Sequence, residues 1–398
     1  MPEQIPRDEP TIVTGDRLVD DGSYKLVAEV DDKIMQYYPS VTPFIYLLKK
    51  AKANGRQQVE NYKYEHLEED QYPRDLTVAS TAAAGGTSIT VETGDYLKAA
   101  KNYLYMNTRT REHVILTEDP SSDTLANVTR AIGGGGAAMD VGDTLTFIAP
   151  VHPEADVMGT IKTIKETRLY NYAEIIRTPV GWSGRTANTR YYGGREPARL
   201  RARAMFEHRK SQELSLLFGR RHSETVSTSK GNRLRTFTGG AEYWIKSNVW
   251  DLNGQPLTYR ALVDWMAFSM ELGDSGNNNG PGVKWLIVGR DLATEIESFM
   301  WDKIRYKPLS DKIGVRAGSF TCTNGTLNIM VHPLFKGEHA GWGFLFDMKH
   351  MWYVHYRNRD SQILKNRQDP SYDGYEEEIM TDFGLKMGLE AAHGLVKL

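Results

Sequence analysis

The sequence predicts an α+β fold that carries one small all-β module as an insertion. Residues 77–150 consist of short β-rich runs separated by glycine and aspartate turns. Residues 195–221 contain the longest helical pattern of the chain. Residues 241–347 then combine helical and strand patterns, and the rest of the chain returns to strand patterns. Together these three observations indicate the α+β class.

Size and composition exclude several classes of protein. The chain has 398 residues, 49 basic and 51 acidic side chains, and a single cysteine, Cys322. This length predicts two or three domains with a substantial core, and one cysteine excludes an internal disulfide framework. There is neither a signal-peptide pattern nor a run of 18 apolar residues, so we expect no membrane segment. The net charge of -2 predicts that any contact with nucleic acid is local.

Residues 1–40 are predicted to form an extended arm. Nine carboxylates and four cations lie within residues 1–33, among few large apolar residues. Such a segment cannot bury its own surface, so it is either a flexible tail or a strap that docks on a neighbour. The first helix follows at Thr42, a favourable N-cap, and Pro43, and its pattern ends before Gly55.

The β-rich module of residues 77–150 is predicted to be an insertion with a small barrel or sandwich fold. Its strand candidates are residues 88–92, 103–108, 113–117, 124–129 and 144–149. The flanking segments Gln58–Leu67 and Thr160–Pro179 have the pattern of two legs of one extended hairpin. Because a long charged hairpin has little to pack against in its own domain, we expect it to pair with another subunit.

The long helix carries a local excess of positive charge. It is predicted to have Pro197 in its first turn and to end at Gly219. Residues 195–221 contain eight Arg or Lys side chains and three Glu side chains. The alternatives are a solvated helix face and a contact with an acidic partner. The candidate basic cluster consists of Arg195, Arg199, Arg201, Arg203 and Arg209.

Residues 241–347 predict a compact layer of helices and strands. Thr258 can cap a helix, and Leu292–Met300 has the pattern of a second helix. One strand is predicted before this second helix in the sequence, at Trp285–Val288, and another after it, at Leu327–Val331.

The last part of the chain predicts strands at Trp352–Arg357 and Ile379–Leu389. Gly384 and Gly388 leave one face of the final strand nearly bare. Glycine in a strand lowers its stability and is typical of sites where another backbone approaches closely. We therefore expect another chain to approach this face.

No pattern in the sequence specifies an active site. The four glycines at 133–136 lack the Lys-Ser/Thr pair of a phosphate loop, which favours a turn. Gly181–Arg185, GWSGR, lacks the second glycine of a nucleophile elbow. His350 and His355 would point to opposite faces of a strand, and Cys322 lies in a turn with no evident base. We therefore expect no enzyme activity, no cofactor and no metal site.

The order of these parts resembles one known family. The segments that carry the resemblance are TPFIYLLKK, TRLYNYAEIIRTPVGWSG, EHRKSQELSLLFGRR and LEAAHGLVKL. The chain resembles the major capsid proteins of tailed bacteriophages, which have the Hong-Kong-97-like fold. The resemblance implies an N-terminal arm (1–40), a first helix and extended loop (41–76 and 151–194), the insertion (77–150), a peripheral domain with a long spine helix (195–238 and 348–380) and an axial domain (239–347 and 381–398).

The resemblance also implies a structural role. The chain would self-assemble into hexamers and pentamers of an icosahedral virion capsid around double-stranded DNA, after assembly in the cytoplasm of a host bacterium. Portal, scaffold and decoration proteins are the further expected partners, and the basic cluster would face the lumen or a neighbouring subunit. Because about 40 residues precede the first helix, we expect a separate scaffold or none. No cross-linking Lys–Asn pair is identified.

Two other functions stay open at this point. The same fold builds encapsulin-like nanocompartments, which package enzymes instead of a genome, although the β insertion favours a viral shell. A carbohydrate-binding protein is the alternative from another class. The 21 tyrosines and 8 tryptophans would suit stacking on sugars, with residues 77–150 as the binding module.

Overall fold

A computed structural model describes residues 42–50, 55–69, 73–156, 159–191, 195–271, 282–300, 305–308, 316–322 and 325–398. The predicted arm, residues 1–40, lies outside these ranges. The chain divides into two compact units. One consists of the chain up to Tyr64 together with Asn171–Leu398, and the other consists of Glu65–Tyr170.

Four helices of the first unit begin close to the positions that the sequence predicts, and two short helices, Gly184–Asn188 and Ala241–Trp244, are not predicted. The Oγ1 atom of Thr258 accepts a hydrogen bond from the N–H of Ala261 at 3.3 Å, which is the predicted cap. The helices are α1 (Pro43–Lys50), α2 (Gly184–Asn188), α3 (Glu196–Phe218), α4 (Ala241–Trp244), α5 (Tyr259–Glu271) and α6 (Arg290–Met300).

A seven-stranded mixed sheet forms one half of the first unit. Its strands in spatial order are β14 (Val249–Asp251), β23 (Gly394–Lys397), β19 (Trp342–Phe346), β15 (Val283–Val288), β18 (Gly325–Val331), β17 (Arg316–Cys322) and β16 (Arg305–Pro308). Leu262 and Met266 of α5 and Leu292 and Ile296 of α6 are buried in the same apolar core as Leu286 of β15. The predicted strands and helices of residues 285–331 are confirmed. Cys322 is the last residue of β17 and not part of a turn.

A second, five-stranded sheet lies under α3. Its strands are β1 (Arg56–Val59), β20 (Met351–Tyr356), β22 (Gly374–Met387) and β11 (Glu174–Ser183) in spatial order, with β21 (Gln362–Leu364) also paired to β22. β1 runs parallel to β20, whereas β11 and β20 run antiparallel to β22. β22 is one continuous strand that crosses the domain boundary predicted at residue 380.

The extended hairpin is shorter than the sequence predicts. β2 (Lys63–Glu68) pairs with β10 (Thr167–Tyr172), as two legs of a hairpin would. The continuation of the second leg, however, is β11, which pairs with β22. Val180 and Trp182 of β11 pack with Ile379 and with side chains of α3. This part of the predicted hairpin therefore has an apolar partner within its own unit.

The bare face of β22 is covered by the same chain. A Cβ atom on Gly384 would lie 2.4 Å from the hydroxyl oxygen of Tyr64 and 3.1 Å from the carbonyl oxygen of Tyr172. The Tyr64 hydroxyl donates a hydrogen bond to the carbonyl of Leu385 at 2.8 Å. The prediction that another chain makes this close approach is wrong, because a tyrosine ring that lies far away in the sequence occupies the space.

An exposed hairpin follows α3 along the chain. It consists of β12 (His222–Thr228) and β13 (Gly231–Phe237), which pair only with each other in the described part of the chain. Most of its side chains are exposed, including half of the surface of Leu234.

The second unit is all-β and has its own apolar core. A five-stranded sheet contains β3 (Leu76–Thr77), β9 (Thr144–Pro150), β5 (Tyr103–Asn107), β6 (His113–Leu116) and β8 (Val128–Thr129), and β4 (Ile89–Thr90) pairs with β7 (Thr124–Leu125). The predicted strand at 124–129 is divided in two because Asn127 adopts a left-handed conformation with φ of 57°.

The glycine run at 133–136 is a turn held by a buried ion pair. Gly133, Gly134 and Gly135 all have positive φ. Beside them, Glu112 accepts two hydrogen bonds from Arg130, at 2.6 and 3.0 Å, and one from the N–H of Ala137 at 3.3 Å. Both charged side chains are almost completely buried.

Candidate functional site

The long helix α3 is tightly fixed at both ends. Arg195 precedes it with extended backbone angles, and Pro197 occupies the first turn. At the other end, the N–H of Gly219 donates to the carbonyl of Ser215 at 2.9 Å. A Cβ atom on Gly219 would lie 2.6 Å from the carbonyl oxygen of Thr238. Glycine at this position therefore lets the chain pass close to the helix end.

One side of α3 packs on the five-stranded sheet through polar as well as apolar groups. The buried imidazole of His208 lies between two threonine hydroxyls, with Nδ1 2.9 Å from Thr178 of β11 and Nε2 2.8 Å from Thr381 of β22. Burial lowers the pKa of His208, so its ring is neutral at pH 7. Through these two hydrogen bonds, His208 connects the helix to two strands of the sheet.

Arg201 belongs to the same sheet-facing side. Its Nε and Nη2 atoms donate to the two carboxylate oxygens of Glu377 at 2.6 and 2.7 Å. Its guanidinium group also lies 4.7 Å from the ring centre of Trp182. Bidentate geometry and stacking make this a stronger contact than an ordinary surface pair. Arg201 therefore does not lie with the other four arginines of the predicted basic cluster.

The other four arginines lie on a different side of the helix. Arg195 immediately precedes the helix, and at about 100° per residue Arg199, Arg203 and Arg209 fall within an arc of about 120°. Arg199 is paired with Glu196, to which its Nε donates at 2.9 Å. Arg195, Arg203 and Arg209 are exposed and make no ion pair with any described residue. We call these four side chains the arginine face.

A buried carboxylate on α3 receives the first helix of the chain. Glu213 accepts hydrogen bonds from the N–H groups of Phe44 and Ile45 at 2.7 and 2.9 Å. These N–H groups belong to the first turn of α1 and have no partner within that helix. Thr42 stands at the predicted N-cap position, but Glu213 is the side chain that caps the helix. The only sequence signal is an acidic residue among the apolar residues that end α3.

Ser183, the serine of the GWSGR segment, has a structural role. The Oγ atom of Ser183 accepts a hydrogen bond from the N–H of Thr186 at 3.2 Å and caps α2. In the part of the chain that the structure describes, no group of three or more His, Cys, Asp or Glu side chains could hold a metal ion. Among the same residues, no helix has the length and apolar character needed to cross a lipid bilayer.

Several solved structures are similar to this chain at low sequence identity. The capsid of a native GTA particle aligns over 97% of this chain and 99% of its own, with a TM-score of 0.47 and 9% identity. A Mycobacterium phage Bobi chain aligns over 94% of this chain and 96% of its own, with a TM-score of 0.43 and 6% identity. The SrpI encapsulin of Synechococcus elongatus aligns over 58% of this chain and 75% of its own, with a TM-score of 0.41 and 8% identity.

The sequence itself matches one family over nearly its whole length. No curated protein matches it. The sequence model described as SU10 major capsid protein, however, matches residues 13–398. This match agrees with the predicted Hong-Kong-97-like capsid fold and with a structural, non-enzymatic role. The protein therefore belongs to the SU10 major capsid protein family and is a self-assembling subunit of a virion capsid.

Proposed function

We propose that the chain assembles into the hexamers and pentamers of an icosahedral head, and that its arginine face contacts the double-stranded DNA inside. The observation that carries the DNA contact is the separation of the arginines on α3. Arg201 is satisfied by Glu377, whereas Arg195, Arg203 and Arg209 are exposed without an ion pair among the described residues. Family membership favours a viral shell over a nanocompartment and over a carbohydrate-binding protein.

The arginine face has suitable dimensions for a phosphate backbone. From Arg195 to Arg209 the helix rises about 21 Å, since each residue adds ~1.5 Å. A phosphate contact needs only a positively charged side chain, and each contact releases counterions from the DNA. A few arginines on one helix can therefore hold DNA locally although the whole chain has a net charge of -2.

The domain roles follow the same proposal. Residues 1–40 would be the arm, 41–76 and 151–194 the first helix and extended loop, 195–238 and 348–380 the peripheral domain, and 239–347 and 381–398 the axial domain. The module of residues 77–150 would face outward, where its short strands and glycine turns meet decoration proteins or neighbouring subunits. Portal and scaffold proteins would be further partners, and assembly would take place in the host cytoplasm.

Salt-dependent DNA binding tests the arginine face. A labelled duplex of about 20 base pairs is titrated with purified subunits between 50 and 300 mM NaCl, and fluorescence anisotropy gives the binding constant. Each phosphate contact contributes about -0.9 to the slope of log K against log salt concentration. The double variant Arg195→Gln/Arg203→Gln should reduce the magnitude of the slope by about 1.8.

The exposed β12–β13 hairpin supplies the matched control. Lys230→Gln/Arg233→Gln removes the same charge from exposed positions and should leave the slope within experimental error of the unmodified chain. Equal effects of the two double variants would mean that net charge, not the arginine face, governs binding. Electron microscopy of purified particles tests the assembly itself, and a chain that stays monomeric at high concentration would contradict it.

A further inference from the structure

Positive charge also converges on a cavity that shares only Arg209 with the arginine face. The cavity has a volume of about 390 Å³ and lies between α1, α3, the start of β1 and the turn before β21. Its charged and amide-bearing lining residues are Lys49, Arg56, Arg209, Gln212 and Asp360. We call it the Lys49 cavity. All of these residues belong to the first unit.

The cations of the Lys49 cavity exceed its anions. Asp360 is the single carboxylate in the lining, and it lies 3.6 Å from Nζ of Lys49 and 3.9 Å from Nη1 of Arg56. The same carboxylate also accepts a hydrogen bond from the hydroxyl of Tyr353 at 3.0 Å. Arg209 has no ion pair among the described residues. One shared carboxylate therefore faces three cations and leaves an excess of two positive charges.

The surroundings of Lys49 disfavour the charged form of its side chain. Its side chain is 17% exposed, and its Nζ atom lies 4.0 Å from the centre of the Tyr353 ring. Burial lowers the pKa of Lys49, and the positive charges of Arg56 and Arg209 lower it further, against the opposing effect of Asp360. A second anion in the cavity would relieve this repulsion.

Gln212 adds an unsatisfied hydrogen-bond donor to the same lining. Its surface is only 2% exposed. Among the described residues, no acceptor lies within hydrogen-bond distance of its Nε2 atom. Buried amide groups in proteins are normally hydrogen-bonded, and each exception calls for a physical reason. An acceptor oxygen bound in the cavity would supply that reason.

We propose that the Lys49 cavity binds a phosphate group. Apart from the shared carboxylate of Asp360, its charged and amide groups are donors, namely an ammonium, two guanidiniums and an amide N–H, and they suit an anion with several acceptor oxygens. One guanidinium group can donate two parallel hydrogen bonds to two oxygens of a phosphate. The excess of two positive charges also matches the charge of a phosphate dianion. The group would be either a free phosphate or a phosphate of a polynucleotide. This proposal does not depend on DNA contact at Arg195 and Arg203, because neither residue lines the cavity.

Isothermal titration calorimetry with inorganic phosphate tests the site. Purified subunits are titrated at pH 7.5, with sodium chloride adjusted to keep the ionic strength constant. The unmodified chain should bind one phosphate per subunit, and Arg209→Gln or Gln212→Leu should weaken binding at least tenfold. Lys230→Gln removes an equal charge from an exposed turn outside both the cavity and the arginine face, and it should change the affinity less than twofold. Circular dichroism establishes that each variant is folded, and Arg209→Lys should partly restore binding.

Competition by a short DNA duplex separates the two sources of phosphate. If the duplex displaces inorganic phosphate, the site takes a polynucleotide phosphate, and if it does not, the site takes the free ion. The proposal is overturned if the unmodified chain binds no phosphate at 10 mM, a concentration about tenfold above a 1 mM dissociation constant. It is equally overturned if Lys230→Gln weakens binding as much as Arg209→Gln.

Discussion

The Nε2 atom of His332 lies 2.9 Å from the Oε1 atom of Glu213, and both side chains are fully buried. On the other side of the imidazole ring, Nδ1 accepts a hydrogen bond from the N–H of Leu334 at 3.2 Å. Because Nδ1 is an acceptor, the ring proton is on Nε2 and is donated to the carboxylate. Glu213 thus receives three N–H groups and ties α1 and the chain after β18 to the long helix.

Replacing Glu213 by alanine should strongly destabilise the first unit. The N–H groups of Phe44 and Ile45 and the Nε2–H of His332 would lose their acceptor inside the protein. Loss of one partner from a buried charged network typically costs about 3–5 kcal/mol. Urea unfolding of the purified subunit measures the change. Glu207→Ala, on an exposed position of the same helix, is the control and should change the free energy of unfolding by less than about 0.5 kcal/mol.

Arg201 and Arg203 should respond in opposite ways to substitution. Arg201→Ala leaves the buried carboxylate of Glu377 without its bidentate partner and uncovers Trp182, so we expect a loss of roughly 2–4 kcal/mol in stability. Arg203→Ala removes an exposed side chain and should cost less than about 0.5 kcal/mol, while DNA binding weakens. Thermal melting and the duplex titration give the two readouts. A large stability loss in Arg203→Ala would show that this arginine is structural.

Features that depend on neighbouring residues in the sequence could be predicted from it. The start of α3, with Pro197 in its first turn, and the start of α5 after Thr258 follow from local backbone and capping preferences. The strands β5, β6 and β9 follow from short β-rich runs between turns. The order of such elements was sufficient to indicate the capsid family, which the match over residues 13–398 confirms.

Features that depend on distant residues could not be predicted in the same way. Glu213 and Phe44 are 169 residues apart, and no sequence spacing links them. Arg201 and Arg203 are two positions apart on a helix with charges on several sides, so only the positions of Glu377 and Trp182 decide which arginine is paired. The glycine face of β22 pointed correctly to a close approach, but the sequence does not specify that Tyr64 makes it.

His393 should make the first unit sensitive to acid. Its Nδ1 atom accepts a hydrogen bond from the N–H of Asp347, and its Nε2 atom lies 3.2 Å from the carbonyl of Gly388. Burial lowers the pKa of His393 to about 3, and the nearby Lys284 and His350 contribute to the decrease. Between pH 6.5 and 3 the unfolded chain binds a proton that the folded chain does not. Stability should therefore fall as the pH decreases through this range, by up to about 1.4 kcal/mol per pH unit.

The variant His393→Gln tests this dependence. It loses hydrogen bonds at every pH, so its overall stability is lower, but its slope between pH 6.5 and 3 should be smaller than that of the unmodified chain. His222→Gln, at an exposed position on β12, should keep the full slope. Parallel unfolding curves at several pH values provide the measurement, and identical slopes for all three chains would refute the assignment to His393.

Lys284 should change the stability with the same sign, but in alkaline solution. This buried lysine of β15 donates to the carbonyls of Ser269 and Ala392, the latter at 2.6 Å. Burial lowers its pKa to about 8, and Asp347 opposes the decrease. Between pH 8 and 10.5 the unfolded chain holds a proton that the folded chain has released, so Lys284 adds stability as the pH rises.

Lys284→Met removes this charge at nearly constant length. At pH 7 the buried ammonium costs on the order of 3 kcal/mol, so the variant should be at least as stable as the unmodified chain despite its lost hydrogen bonds. The difference between the two chains should then shrink from pH 8 to pH 10.5. Lys336→Met, at an exposed position, is the control. A variant that is less stable by several kcal/mol at pH 7 would mean that the hydrogen bonds outweigh the burial of charge.

The β module should be removable without unfolding the first unit, provided that the cut follows its core. The buried apolar residues of the module all lie between Leu76 and Leu145. These two residues pair across β3 and β9, so the chain enters and leaves the module on adjacent strands. A cut at residues 80–148 would leave the buried Leu76 and Val78 exposed. Replacing Leu76–Pro150 by a short Gly-Ser linker removes the whole core instead.

The excised chain should keep the melting transition of the first unit, because the core around Leu286 and Met266 contains no residue from the module. Differential scanning calorimetry compares it with the full chain, and we expect one transition to be lost while the other shifts by a few degrees at most. In the full chain, Glu112→Gln breaks the buried pair with Arg130. This variant should lower the melting temperature of only the transition that is lost on excision. Aggregation of the excised chain, or a shift of both transitions by Glu112→Gln, would show that the module is part of the cooperative core.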